Sequence, residues 1–223
     1  MPPSLSHIAK VWKAYWKTPV GRVQIIFTTV LAVWVCWFHT HYLTMLESRH
    51  GATFDDKIIQ YLPPHDFSIP LFVVLYSVVF LGLYFLLDDP PYLIRAAHAY
   101  ALMMILRTIS IYFTPLEAPQ GMIMLIDPIG QALMRTHGEF ITKDLFFSGH
   151  TATVFIYYFA LRHRWMKYYV ALCCILVPIM LVWQHVHYTS DVLAAPVAAY
   201  FCVKVSDTFY NKFPQLVQPK SEG

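Results

Sequence analysis

The segment KDLFFSGHTATVFIYYFALRHR, residues 143–164, is apolar through most of its length and carries charged residues only near its two ends. A helix needs about 20 apolar residues to cross a hydrocarbon core about 30 Å thick. We therefore predict a membrane span over residues 147–163. Near its start stand Ser148, Gly149 and His150, and a histidine inside a span points to function because lipid tolerates ionisable groups poorly.

The rest of the chain repeats this pattern of long apolar runs. It is 57% hydrophobic and 13% charged, whereas a soluble domain is about 45–50% apolar and about 25% charged. The six predicted spans are 23–43, 69–87, 93–113, 147–163, 166–185 and 188–205. We predict an all-α, polytopic (multi-pass) integral membrane protein with six transmembrane helices, a helical-bundle core and a lipid bilayer around it.

Lysine and arginine are distributed unequally between the two sides of these spans. Eleven of the 16 lie on the side of the termini, four lie on the other side, and Arg107 lies inside a span. Because cytoplasmic flanks carry the excess, both termini are predicted to be cytoplasmic. The predicted division is a cytoplasmic segment 1–22, a six-span membrane domain 23–206 and a cytoplasmic tail 207–223. The net charge of +3 reflects this bias, and we expect no nucleic-acid partner.

Two long polar connections, residues 44–68 and 114–146, fall on the non-cytoplasmic side. Long loops in compact folds tend to be functional. The second loop is rich in Pro, Gly and Met, and we predict a short interfacial helix over 121–134 within it.

A histidine and an aspartate mark the start of the last predicted span. His187 and Asp191 are four residues apart, a spacing that places two side chains on one face of a helix, about 5–6 Å apart at Cβ. A carboxylate there can accept a hydrogen bond from Nδ1 of the imidazole and leave Nε2 free as a nucleophile or base. His187 and Asp191 are therefore predicted to be catalytic.

A second polar group is predicted at the start of the fourth span. Ser148 can cap the helix, and the unpaired N–H groups beside Gly149 form an anion site, for which phosphate is the natural guest. His150 in this turn would then be the second catalytic histidine. Arg107 and Lys143 are predicted to supply cationic donors to the phosphate.

Some of these residues also have simpler interpretations. Arg107 could instead pair with an acid such as Asp144 or Glu117, and Lys143 could be a solvated loop charge. Asp144 would then order its loop, although contact with a headgroup is equally open.

The histidines near the predicted span ends are weaker candidates. His185 is predicted to face away from His187, and with Tyr188 it is at most a headgroup or loop-ordering residue. His39 and His41 are predicted to mark the water interface. A metal cluster of imidazoles and a carboxylate is an alternative to the phosphate site, but the serine and glycine before His150 favour phosphate. We therefore expect no metal and no cofactor.

Two histidines facing one phosphate favour a double displacement. His187 would attack phosphorus to form a phosphohistidine while His150 protonates the leaving oxygen, and His150 would then deprotonate the incoming hydroxyl or water. An alcohol as acceptor makes the protein a transferase, and water makes it a hydrolase.

Several motifs resemble those of a known family. SGHT at 148–151 followed by HYTSDV at 187–192 is similar to the paired signatures of the type 2 phosphatidic acid phosphatase superfamily, and more closely to its sphingomyelin synthase branch. RTISIYFTPL at 107–116 and YLPPHDF at 61–67 also resemble motifs of that branch. The chain departs from the pattern at Leu181, where the phosphatase branch has an arginine, and at 142–143, where the synthase branch has Cys-Gly.

This resemblance implies six spans, a metal-independent site on the non-cytoplasmic side and a triad carried over as His150, His187 and Asp191. The expected function is transfer of a phosphate-linked headgroup from a membrane phospholipid donor to a lipid alcohol, as in sphingomyelin or ceramide phosphoethanolamine synthesis. The alternative is a lipid phosphate phosphatase or phospholipase C-type hydrolase, and a catalytically idle scaffold or lipid transporter is a third hypothesis. The active site would face the periplasm, a lumen or the cell exterior. A homo-oligomer is left open.

Overall fold

The computed structural model describes residues 4–127 and 142–211. Within these residues the chain forms eight helices and no strand. The helices are α1 Leu5–Lys17, α2 Pro19–Leu46, α3 Lys57–Tyr61, α4 Ser68–Leu86, α5 Pro90–Phe113, α6 Gly149–Ala160, α7 Arg164–Trp183 and α8 Thr189–Asn211. The predicted all-α class is confirmed.

Five of these helices are long and apolar enough to cross a membrane. They are α2, over Pro19–Leu43, and the whole of α4, α5, α7 and α8. Five predicted spans coincide with them to within a few residues, except that α8 continues to Asn211, past the predicted boundary at 206. These helices indicate an integral membrane protein.

The predicted span 147–163 is the exception. Its helix, α6, has 12 residues and is therefore about 18 Å long, too short to cross a core about 30 Å thick. The prediction of six full-length spans is wrong at this position. The helix begins at Gly149, two residues after the predicted start, where the carbonyl of Phe147 accepts a hydrogen bond from Nε of Arg107, 2.8 Å away, and it ends at Ala160, three residues before the predicted end.

The short helix α6 lies inside the bundle, in contact with α4, α5, α7 and α8. Val154 of α6 is fully buried in one apolar cluster together with Val78 of α4 and with Val170 and Val177 of α7. An apolar helix surrounded in this way is held by packing on all sides. Its first turn is thereby fixed relative to the longer helices.

The predicted interfacial helix over 121–134 is absent in the part that the structure describes. Residues 122–127 are not helical, because their backbone groups are bound by distant side chains. The amide of Gln184 donates to the carbonyls of Ile123 and Met124, and the N–H of Ile126 donates to the hydroxyl of Ser68. Residues 128–134 of the predicted helix lie outside the described residues.

The N-terminal and C-terminal ends of the described chain lie at the same end of the bundle. The indole of Trp12 in α1 donates to the carbonyl of Leu87, 2.8 Å away. Tyr15 of α1 packs with Ile94 at the start of α5 and with Tyr210 near the end of α8. The sequence did not predict α1, which falls in the segment 1–22. Residues 212–223 of the predicted tail lie outside the described residues.

The long loops lie at the opposite end of the bundle. The N–H of Ala52 donates to the carbonyl of Pro115, and the N–H of Glu117 donates to the carbonyl of Ala52, each over 2.9 Å. These two bonds join the predicted connections 44–68 and 114–146. The candidate catalytic residues all lie at this end.

Candidate active site

The first part of the site is the turn that leads into α8. Because α8 begins at Thr189, His187 precedes the helix, and the predicted helical stacking of His187 on Asp191 is wrong in its detail. The carboxylate of Asp191 instead reaches back to the N–H of Tyr188, 3.0 Å away, as the acidic residue of a capping box does. This turn still places Nδ1 of His187 3.4 Å from Oδ2 of Asp191.

His187 and Asp191 are both buried, with side chains 2% and 0% exposed. Their separation is longer than a normal N–H···O hydrogen bond, and Nδ1 of His187 has no hydrogen-bond partner among the described residues. Catalytic hydrogen bonds are often long without substrate and shorten in its complex. The carboxylate and the imidazole are therefore at ion-pair distance, in the arrangement that can fix the tautomer of His187.

A residue that the sequence analysis did not predict supports this turn. Asp56, at the start of α3, accepts hydrogen bonds from the N–H groups of Thr189, 2.6 Å away, and Ile58, 3.0 Å away. Burial alone would raise the pKa of Asp56, but these backbone bonds outweigh it and hold the pKa below its ordinary value. Asp56 thus stays ionised and caps two helices, one of them 133 residues away.

The first turn of α6 lies against the first turn of α8. Ser148 is the N-cap of α6, as predicted, because its hydroxyl accepts from the N–H of Thr151. The N–H of Ser148 itself donates to the carbonyl of Asp191, 3.1 Å away. The two short signatures are therefore tied together by a backbone hydrogen bond.

His150 stands in the first turn of α6. Its ring packs edge-on against Phe72, with 5.8 Å between the ring centroids. Nδ1 is buried without a hydrogen-bond partner among the described residues. The residue before His150, Gly149, lies against the guanidinium of Arg107, and the N–H of Ser148 ties the same turn to Asp191, four residues after His187. The structure thus brings together the two histidines and the arginine that the sequence analysis selected from three separate segments.

Arg107 is 4% exposed and is held on several sides. Its Nη1 lies 2.7 Å from Oδ1 of Asp144, and its Nη2 donates to the carbonyl of the same residue over 3.1 Å. Burial alone would raise the pKa of Asp144, but the charge of Arg107, its hydrogen bond and other nearby groups together outweigh burial and keep the pKa below its ordinary value. The pairing with Asp144, one of the two interpretations of Arg107, is present, and contact with phosphate stays a prediction.

The guanidinium of Arg107 also lies directly against Gly149. A Cβ atom at this glycine would be 3.1 Å from both Cζ and Nε of Arg107. Close approach of a ligand or side chain to the backbone is a frequent reason for glycine. The arginine charge is therefore placed at the positive end of α6, where an anion would bind.

We expect Gly149→Ala to reduce kcat/KM for a lipid phosphoester by about 10- to 100-fold, because the new methyl group displaces the guanidinium. Alanine is a good helix former, so α6 itself should persist. The measurement is steady-state turnover in detergent or nanodiscs. In an Arg107→Leu background the same substitution should have little further effect, and an equal loss in both backgrounds would contradict the explanation.

Lys143 points to other partners. Its Nζ lies 3.2 Å from Oε1 of Glu117 and also donates to the carbonyl of Arg49. Its backbone N–H donates to the carboxylate of Glu47. These contacts order the loop before α6, so the structure adds nothing to the prediction that Lys143 binds phosphate.

His185 and Tyr188 occupy loop-ordering positions. Nδ1 of His185 lies 2.8 Å from the carbonyl oxygen of Gln120, and Nε2 lies 3.0 Å from that of Leu62. The hydroxyl of Tyr188 donates to the carbonyl of Glu117 over 2.9 Å. Both residues line a cleft of about 800 Å³ between the two long loops. Their positions fit the predicted loop-ordering interpretation.

The predicted position of His39 at the water interface is wrong. His39 is 4% exposed, and its Nε2 lies 3.1 Å from Nη1 of Arg107. His41, two residues later, is exposed. The sequence offered no local signal for the difference, because the partner of His39 is 68 residues away.

The residues that the structure describes contain no group of three or more His, Cys, Asp or Glu placed to hold a metal ion. Metal independence stays a prediction.

The comparison with known families finds a match in the C-terminal part of the chain. Residues 143–210 match the family model described as PAP2 superfamily C-terminal. The matched segment includes α6, α7 and most of α8, with His150, His187 and Asp191. A search of the curated proteins finds no match. The match covers less than a third of the chain, and this part is similar to the type 2 phosphatidic acid phosphatase superfamily, which supports a lipid phosphatase or phosphotransferase type of function.

Proposed function

We propose that this protein transfers a phosphate-linked headgroup from a membrane phospholipid to a lipid alcohol through a phosphohistidine. The observation that carries the proposal is the buried His187–Asp191 pair, tied by the Ser148 N–H to the helix turn that holds His150. The guanidinium of Arg107 lies against Gly149, the residue before His150.

The first half-reaction forms one bond and breaks another. Nε2 of His187 attacks phosphorus, and the bond between phosphorus and the diacylglycerol oxygen breaks. His150, in its protonated form, gives its proton to that oxygen. Asp191 fixes the tautomer of His187 and stabilises the positive charge that develops on its ring. The N–H groups at the start of α6 and the guanidinium of Arg107 stabilise the additional charge on the phosphoryl oxygens.

The second half-reaction reverses these roles. Neutral His150 accepts the proton of the incoming hydroxyl, whose oxygen attacks phosphorus, and the bond between phosphorus and His187 breaks. A lipid alcohol such as ceramide or a diacylglycerol-like molecule is the acceptor in the transferase. Water is the acceptor in the alternative, a lipid phosphatase or phospholipase C-type hydrolase.

The charge distribution supports a site on the non-cytoplasmic side. Basic residues lie near the helix ends on the side of the bundle opposite the site. Among the described residues they include Lys17, Arg22, Arg95, Arg162, Arg164, Lys167 and Lys204. By the positive-inside rule this end faces the cytoplasm. The donor lipid would then enter from the leaflet facing the periplasm, a lumen or the cell exterior.

The test uses purified protein in detergent with headgroup-labelled phosphatidylcholine or phosphatidylethanolamine, with and without ceramide or diacylglycerol. We expect label to appear in a new phospholipid or phosphosphingolipid only when the acceptor is present. Equal release of water-soluble label with and without acceptor would establish the hydrolase and overturn the transferase. Phosphatidic acid serves as a second donor that reports phosphatase activity.

The same assay tests metal independence. We expect turnover to be unchanged in the presence of a chelator, because two histidines and an arginine supply the nucleophile, the proton and the positive charge. Loss of turnover that added divalent metal restores would contradict this part of the proposal. Absence of conversion of every donor would favour the scaffold or transporter hypothesis.

A further inference from the structure

We infer that His39, on the first membrane-spanning helix, is a positioning residue that holds Arg107 in place as a neutral hydrogen-bond acceptor. The inference rests on the proposed function, because it assigns His39 a role in phosphoryl transfer. His39 lies outside the segment matched to the family model, which begins at residue 143. Its contribution follows from the hydrogen bonds around it.

The directions of these hydrogen bonds fix the protonation of the ring. Arginine can only donate, so Nη1 of Arg107 donates to Nε2 of His39, 3.1 Å away. Nε2 therefore carries no proton, and Nδ1 carries the single proton of a neutral imidazole. That proton is donated to Oγ1 of Thr108, 2.9 Å away.

Thr108 is available as the acceptor because its own proton is used elsewhere. Its hydroxyl donates to the carbonyl of Met104, 2.9 Å away, one turn earlier in α5. The result is a directed chain from Arg107 to His39, from His39 to Thr108 and from Thr108 to Met104. Each hydrogen bond in this chain requires the same tautomer of His39. Thr108, a second residue of α5, therefore fixes the ring nitrogen with which His39 accepts from Arg107.

The neutral charge of His39 matters for binding an anion. Asp144 already balances the charge of Arg107, so a second carboxylate at position 39 would make the cluster net negative and repel phosphate. A neutral imidazole satisfies the buried guanidinium without removing more positive charge. Without an acceptor there, an N–H group of Arg107 would be buried unpaired.

Position matters as much as charge. The guanidinium lies against Gly149, and a misplacement of about 1 Å near reacting groups can reduce a rate by about 100-fold. The helix α2 packs mainly on α5, and many of its other side chains are exposed to the lipid. His39 is thus a residue of α2 that contacts Arg107 directly.

The test compares four variants with the wild type, by turnover of headgroup-labelled phosphatidylcholine or phosphatidylethanolamine in the presence of ceramide or diacylglycerol. His39→Leu, which removes the acceptor, should lower kcat by about 10- to 100-fold with little change in KM. His39→Gln, whose side-chain oxygen can accept from Arg107, should restore most of the loss. Thr108→Val, which frees the ring to adopt the other tautomer, should give an intermediate loss. His41→Leu, on the same helix, should behave as wild type.

Coupling to Arg107 separates positioning from general stability. If His39 acts through Arg107, His39→Leu should have no further effect in an Arg107→Leu background. Equal losses in both backgrounds, or no rescue by His39→Gln, would overturn the inference. An independent readout is the ¹⁵N spectrum of the His39 ring, which should show a neutral Nδ1–H tautomer in wild type. Any other protonation state would also overturn it.

The two levels of failure can be told apart. If wild-type protein converts no lipid phosphoester, the proposed function fails, while the tautomer is still decided by the spectrum. If wild type is active and His39→Leu is equally active, the function stands and the positioning role fails.

Discussion

Replacement of His187 by glutamine is expected to reduce turnover by about 10⁴-fold or more, because the nucleophile that carries the phosphoryl group is removed. Glutamine has a similar size and keeps a polar group beside Asp191, so the buried turn before α8 should survive. The measurement is steady-state headgroup transfer, with thermal melting as the test of folding. This is the largest effect on activity that the site predicts.

The roles of the two histidines can be separated by trapping. With donor labelled at phosphorus, His150→Gln should accumulate label on the protein more slowly than wild type, because the leaving oxygen lacks its proton donor, whereas His187→Gln should accumulate none. Labelled protein in His187→Gln and none in His150→Gln would show that the roles are exchanged. Full activity in both variants would contradict a catalytic function for this site.

Removal of the Arg107 side chain should produce the largest combined loss of stability and activity. Breaking a buried ion pair by removing one partner costs about 3–5 kcal/mol, and Arg107→Leu leaves the carboxylate of Asp144, 27% exposed, without its guanidinium. Loss of a donor to the developing oxyanion lowers kcat by about 10²- to 10³-fold. We therefore expect a lower melting temperature together with slow turnover.

The matched control removes both charges. Arg107→Leu combined with Asp144→Leu should recover much of the melting temperature, because no unpaired charge remains, but it should not recover turnover. Equal melting temperatures for the single and double variants would contradict an energetic contribution from the pair.

Acid provides a second check on the same ion pair. Because the pKa of Asp144 lies below its ordinary value, the pair stabilises the protein above the ordinary carboxyl pKa and is lost as the pH falls through the lowered one. The stability difference between wild type and Arg107→Leu should therefore shrink on acidification. A difference that grows on acidification would contradict this assignment of the charge.

Much of the fold could be predicted from the sequence because lipid imposes a strong local rule. Long apolar runs located α4, α5 and α7 to within a few residues. The rule located the start of α6 to within two residues but overestimated its length, since α6 ends at Ala160 after 12 residues. A separate prediction, the loop helix over 121–134, was wrong at 122–127, where the side chains of Gln184 and Ser68 bind the backbone. Helix limits fixed by distant side chains leave no trace in local hydropathy.

The candidate site shows the same division. Spacing and helix-start chemistry were sufficient to select His150, His187 and Asp191, which the fold brings to one end of the bundle. They were insufficient for His39 and Asp56, because each acts on a residue far away in sequence. A lone histidine at the end of an apolar run has the same appearance whether it faces solvent or a guanidinium. Only the packing of α2 on α5 distinguishes these cases.

The 12-residue length of α6 bears on how deep in the bilayer the proposed phosphoryl transfer would take place. If Leu161 lies at the cytoplasmic boundary of the hydrocarbon, the start of α6 is only about 18 Å higher, roughly 12 Å short of the far boundary. Arg107 lies at a similar depth, because it is six residues, or about 9 Å along the helix, before the end of α5 at Phe113. Under the proposed function and this placement, a lipid would have to lower its phosphate beneath the plane of its neighbours' headgroups before reacting.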